Sequence, residues 1–338
     1  MKIVKLHFFN IFFLVALVCT ACKNDSAGKE QGKSGDPDID AITALINKSP
    51  DNDSLYVLRA RIYDERKNFD AAIQDMASAM HIDSLNIEHH YFLSDLYMRY
   101  AKSRLALQTM QRVAALVPND VPALLRLARM QTQLKMHDPS MQTIGKVLAL
   151  EPQQPEAFFL TGVNLREKGD TDRAINAFQK CFELNPEHLD ACLNLGLLWE
   201  EKDNPIALKY YDNALRIDST STLAYYNKGM YYMNRHQDDK AIVIFEKLLT
   251  LDPRYRDAYF NIGIIALERD SFQKAYDNFN IAVTQDPLFD MGFYYRGITN
   301  EKMNQLENAR SDYKQALGLS PSYPKFKEAL EKLERRMK

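Results

Sequence analysis

"YYNKGMYYMNRHQDDKAIVIFEKLLTLDP", residues 225–253, reads as two helical patterns joined by a polar turn. Tyr225, Gly229 and Tyr232 share one stripe of the first, and Ala241, Ile244, Phe245 and Leu248 share one stripe of the second. Thirty-four residues on, the pattern returns as "YFNIGIIALERDSFQKAYDNFNIAVTQDP", residues 259–287. A helix pair that returns at a fixed period points to a repeat array, in which each unit buries its apolar face against its neighbours.

The register extends in both directions. Proline recurs as Pro118, Pro152, Pro186, Pro253, Pro287 and Pro321. Twelve residues before these stand Ala106, Ser140, Ala174, Ala241, Ala275 and Ala309, and twelve earlier again Ser94, Ala128, Gly162, Gly229, Gly263 and Gly297. Two further units carry Ser84 and Ser219 in the proline slot, with Ala60 and Ala72, then Gly196 and Ala207. The units are 53–86, 87–120, 121–154, 155–188, 189–221, 222–255, 256–289 and 290–323; seven have 34 residues and one has 33.

Small residues at the crossings let two helices approach, where a bulky one would force them apart. Met76, Met110, Ile144, Phe178, Tyr211, Phe245, Phe279 and Tyr313, four after the second small residue, are expected to fill the space between helices. Proline stops the second helix, because it lacks the N–H and restrains its predecessor.

This pattern resembles the tetratricopeptide repeat family over residues 53–323. The resemblance implies an all-α, right-handed α-solenoid (superhelix) of eight helix–turn–helix units, with a concave face made by the first helices. Residues 38–52 are expected to form an N-terminal capping helix, and "PKFKEALEKLERRMK", 324–338, a C-terminal cap helix starting at Pro324. Unit 121–154, with Gln131, Ser140 and Gly145, is expected to be the softest. Unit 189–221 has lost one residue at the turn Asp203-Asn204-Pro205.

The first 21 residues read as a signal peptide: Lys2 and Lys5 precede an apolar run that ends at Cys19-Thr20-Ala21-Cys22. The end of that run resembles the lipobox of bacterial lipoproteins, with Cys19 where an aliphatic residue is usual. The resemblance implies lipidation at Cys22, followed by a Gly/Ser/Lys-rich tether over 22–37. The expected place is then the bacterial cell envelope, in the outer membrane facing the periplasm, with surface exposure left open.

With 43 basic and 45 acidic residues, the chain lacks the strong basic excess of a nucleic-acid binder. No phosphate-cradling glycine loop, catalytic motif or paired metal-ligand spacing occurs after the signal, so no cofactor, metal or small-molecule substrate is expected. His81, His89 and His90 cluster only in sequence. Cys181 and Cys192 occupy slots that face each other in the family; they read as two buried small residues, with a disulfide as the other option.

Function is expected on the first helices. Val163, Leu197, Met230, Ile264 and Ile298 form an apolar stripe, flanked by Phe159, Tyr226, Phe260 and Tyr294 and by Asn194, Asn227 and Asn261. Asparagine amides suit an extended peptide's backbone and aromatics its side chains. Arg61, Arg99, Arg126 and Arg129 form a candidate basic inner surface, with Asp64, Glu65 and Asp95 as internal partners. The slots of the family's Lys/Asn carboxylate clamp hold Val57 and Arg61 in the first unit. The expectation is a non-enzymatic scaffold that binds a protein or peptide partner, an assembly factor or adaptor for an envelope machine. The alternative is a carbohydrate-binding or enzymatic module using the aromatic groove, with Glu200, Glu201 or Glu268 as its acids.

Overall fold

A computed structural model describes residues 34–338 of the chain. The expected signal peptide, Cys22 and all but the last residues of the expected tether lie outside them. Eighteen helices and no strand occur among the described residues, which fall into two compact units that meet in sequence at Tyr100 and Ala101. That boundary separates the two helices of the repeat 87–120.

The first unit holds α1 (Pro37–Lys48), α2 (Asp53–Glu65), α3 (Phe69–Ile82) and α4 (Ile87–Arg99). The second opens with α5 (Ser103–Leu116), α6 (Val121–Gln133), α7 (His137–Leu150), α8 (Pro155–Glu167) and α9 (Thr171–Leu184). It continues through α10 (Leu189–Glu201), α11 (Ile206–Ile217), α12 (Thr222–Met233), α13 (Asp238–Leu251) and α14 (Arg256–Glu268). It closes with α15 (Phe272–Gln285), α16 (Asp290–Lys302), α17 (Leu306–Leu319) and α18 (Pro324–Arg336). Within each unit, helices pack on their neighbours in the chain, and second helices such as α3, α9 and α15 pack chiefly on the first helix of their own repeat.

Local sequence chemistry sets the ends. Asn52, Asn86, Asp120 and Ser221 stand just before their helices, and their side-chain oxygens accept backbone N–H groups of the first turn. The residue before most repeat prolines is extended: Glu151, Asp252 and Asp286 all have φ near −130°. Asp83 and Asp218 do the same before serine, so the stop does not depend on proline alone.

The turn inside each repeat has a feature that the sequence does not announce. Lys67, Ala101, Lys135, Gly169, Asp203, His236, Asp270 and Asn304 all hold positive φ, from 51° to 80°, at the fifteenth residue of their repeats. Only Gly169 is free of a Cβ penalty there.

The gap-filling residues are the core. Met76, Phe178, Tyr211, Phe245 and Phe279 are fully buried, and Tyr313 is nearly so. The reason for the glycines differs from the expected close approach of two backbones. A Cβ on Gly162 would stand 2.6 Å from the Phe178 ring, and one on Gly263 would stand 2.7 Å from the Phe279 ring. Each glycine makes room for an aromatic ring. Where the filler is Met76 or Ile144, the facing residue is Ala60 or Ala128 instead.

Unit 121–154 answers its polar substitutions internally. Ser140 and Thr132 hydroxyls lie 2.8 Å apart, and Asn164 Nδ2 of α8 reaches both at 2.9 and 3.0 Å. Thr143 donates to Gln131 Oε1 at 2.8 Å, and His137 Nδ1 lies 3.0 Å from Asn164 Oδ1. The serine that read as a weakness belongs to a buried network joining α6, α7 and α8, and the glutamine to a separate buried bond between α6 and α7. Gly145 has open space beside it.

Candidate functional site

In the second unit α8, α10, α12, α14 and α16 each present the same register position: Val163, Leu197, Met230, Ile264 and Ile298. None is fully buried and none fully exposed. Val163, Met230, Ile264 and Ile298 rest by one side on the buried clusters beneath them.

The flanking aromatics are seated on the fillers rather than standing free. Phe159 lies 5.7 Å from Phe178 and 4.6 Å from His188, ring centre to ring centre. Tyr226 packs on Phe245 and Tyr255, and Phe260 sits among Phe279, Phe289 and Tyr295. Tyr294 lies against Tyr313 and Phe326. Their outer edges still border the stripe, because all four keep partial exposure.

The asparagines depart from the expected open ladder. Asn227 and Asn261 are buried, each 7% exposed, and Asn261 Nδ2 lies 3.3 Å from Met230 Sδ. Asn227 Nδ2 is buried with no hydrogen-bond partner. Asn194 is partly exposed, but its amide donates to Asp190 O at 2.7 Å and accepts from Arg166. Helix packing at this register turns the amides toward neighbouring helices, so they are not presented as a row to solvent.

The arginines are divided between the units. Arg99 pairs with Asp64 at 2.7 Å, and Arg61 stands over the Phe92 ring at 4.7 Å, both in the first unit. Arg129 pairs with Glu156 at 2.7 Å in the second, where Arg126 is exposed on α6. Internal pairing therefore occupies Arg99 and Arg129.

The acids named for an enzymatic site are not gathered into one. Glu200 accepts the Tyr211 hydroxyl at 2.7 Å and Asn234 Nδ2 at 3.0 Å. Burial, then Glu200, push the Tyr211 phenol well above its ordinary range. Glu201 and Glu268 are exposed. His89 Nε2 lies 3.2 Å from Asp53, and His90 Nδ1 lies 2.9 Å from Asn86 O, so both are tied locally. Among the described residues no group of three or more His, Cys, Asp or Glu is placed to hold a metal ion. Cys181 and Cys192 are free thiols, both fully buried, and no disulfide joins them.

Two buried ion pairs escape a reading of the stripe alone. Arg296 and Asp312 bond through Nε and Nη2, the latter at 2.5 Å, and Arg296 Nη1 reaches Asn280 at 2.7 Å. Arg59 and Asp75 repeat the arrangement in the first unit, with Thr43 as third partner at 2.9 Å. The sequence signal was available: arginine at the seventh residue of a repeat and aspartate at the twenty-third occur together in the first and the last repeat.

Family models described as tetratricopeptide repeat match residues 155–188, 223–255 and 294–323. These three segments are tetratricopeptide repeats. The chain's tetratricopeptide fold is similar to that of the C-terminal part of a repeat-containing protein from Cytophaga hutchinsonii, 20% identical with a TM-score of 0.56, covering 71% of this chain and 99% of that one. The anaphase-promoting complex subunit 3 of Schizosaccharomyces pombe is 29% identical over 113 residues, 33% of this chain and 17% of that protein. The human mitochondrial import receptor subunit TOM70 is 22% identical over 222 residues, 62% of this chain and 36% of that protein. The chain thus spans well under half the length of these two relatives.

Proposed function

We propose that this chain is a non-enzymatic scaffold whose second unit holds a segment of a partner protein against α8, α10, α12, α14 and α16. The observation that carries this reading is the stripe Val163, Leu197, Met230, Ile264 and Ile298. Five successive first helices leave apolar surface open at one register, and an occupant would remove it from water. Asn227 Nδ2, buried without a partner beside the stripe, adds a donor that a small side-chain shift would offer to an occupant's carbonyl. The two relatives, an anaphase-promoting complex subunit and a mitochondrial import receptor subunit, agree with a role in protein association.

In this proposal the scaffold is tethered to the bacterial envelope by lipid at Cys22, as the sequence "CTACKND" at 19–25 suggests. Its place is the outer membrane facing the periplasm, and its work is assembly or adaptation of an envelope machine.

The test is crosslinking in intact cells followed by mass spectrometry. Met230→Asp with Ile264→Asp should abolish partner recovery while circular dichroism stays that of the parent. Full recovery in the folded double variant would sink the groove assignment. Fatty-acid label that persists in Cys22→Ala would sink the anchor.

A further inference from the structure

The apolar stripe ends at Ile298, and an open pocket of about 780 Å³ begins there, between α16, α17 and the cap helix α18. Tyr294, Ile298 and Ala329 supply its apolar floor. Four basic side chains and two carboxylates line it. One carboxylate is already spoken for: Glu301 accepts the Tyr313 hydroxyl at 3.0 Å and pairs with Arg336. Lys302, Lys325 and Lys332 are exposed and make no ion pair among the described residues. Lys325 and Lys332 lie two turns apart on one face of α18, with Glu328 between them. The rim therefore keeps an uncompensated positive charge above an apolar floor.

We infer that this pocket is a docking site for an acidic peptide segment of a partner protein, one that carries an aromatic or aliphatic side chain among its carboxylates. The apolar side chain would rest on Tyr294 and Ile298, and the carboxylates would meet the three lysines. This deepens the proposed scaffold role and rests on it. It names the chemistry of the occupant at one end of the stripe. Lysine ammonium groups at an open rim attract carboxylates mainly through charge, so binding should weaken as salt rises.

The test uses the full-length chain in detergent and an array of nonapeptides holding one Phe, Tyr or Leu among Asp and Glu. A matched array has Lys and Arg in place of the acids. Acidic peptides should bind, their basic counterparts should not, and Lys325→Glu with Lys332→Glu should weaken binding by about tenfold or more. Lys274→Glu with Lys314→Glu, exposed lysines that do not line the pocket, should leave it unchanged. Equal binding of both arrays, or equal loss in the two double variants, would overturn the assignment. So would lysine-dependent sedimentation with phosphatidylglycerol vesicles while peptide binding ignores the same lysines. Failure here is separable from failure of the scaffold reading: loss of crosslinked partner in Met230→Asp with Ile264→Asp would stand whatever the lysine variants do.

Discussion

Gly263 and Phe279 fit one another: a Cβ on the first would stand 2.7 Å from the ring of the second, which is fully buried. The same pairing recurs at Gly162 with Phe178 and at Gly297 with Tyr313. Ala60 with Met76 and Ala128 with Ile144 are the same site filled by a narrower side chain. Gly263→Ala should destabilise the protein by about 1–3 kcal/mol, overpacking outweighing the gain in helix propensity. Adding Phe279→Met should recover part of that loss. A urea-melt double-mutant cycle with no coupling between the two changes would refute the pairing.

Arg296 and Asp312 are both largely buried, and each satisfies the other. Removing one side leaves the other charge without its partner. Asp312→Ala is expected to cost about 3–5 kcal/mol, whereas replacing both residues by leucine should cost less. Chemical denaturation of the three variants decides this; a double variant as weak as the single one would contradict it.

The turn and helix glycines are misplaced for stability. Lys135 and His236 pay for positive φ with a Cβ, while Gly145 sits inside α7 with open space around it. Lys135→Gly and His236→Gly should each stabilise by about 0.5–1 kcal/mol, the relief of left-handed strain exceeding the added freedom of the unfolded chain. Gly145→Ala should stabilise by a similar amount, roughly 0.5–1 kcal/mol. Thermal melts that fall in all three would oppose this account.

Burial pushes the Cys192 thiol up to about 12. The folded state therefore holds a proton that the unfolded chain releases in the ordinary thiol range. Stability from this group is intact below that range and falls as pH rises toward about 12. Alkylation by iodoacetamide at about pH 8 should spare Cys181 and Cys192 in native protein and label both in urea. Rapid native labelling, or a mass two hydrogens short, would disprove two buried free thiols.

Asn164 is fully buried and joins Thr132, Ser140 and His137. Asn164→Leu should cost about 2–4 kcal/mol, because two hydroxyls lose a partner in a site shaped for an amide. Asn164→Leu combined with Ser140→Ala and Thr132→Val should be milder. Hydrogen exchange across 121–167 gives the measurement.

Most of the helices were legible in the sequence because a small residue recurs at a fixed register, and several starts also carry a polar cap residue, although α7 and α16 begin after Met136 and Phe289 without one. Asn86 and Gly162 are examples of the two marks. The left-handed turn was not legible, since only Gly169 of its eight occupants is the residue that conformation favours. Hydrogen bonds of the preceding helix impose it whatever the side chain; Lys135 N–H, for one, donates to Thr132 O. The candidate site was half legible. Periodicity placed Met230 and Ile264 at one register of α12 and α14, yet it could not tell that Asn227 and Asn261 turn inward. That depends on the rotation of each helix against the next, set by fillers such as Phe245. The lysine pocket was hidden because its rim joins α16 to α18 across a register the repeat does not share.

Arg59 and Arg296 each bond an acid sixteen residues ahead and a side chain sixteen residues behind, in the helix that precedes their own repeat. Such a residue works as an address. Repeats that look interchangeable by period are not interchangeable in order, because a copied or transposed unit would bury a guanidinium opposite the wrong acceptor. Growth of this array by duplication is therefore guarded at its two terminal repeats, as the Asn164 network guards the junction between 121–154 and 155–188.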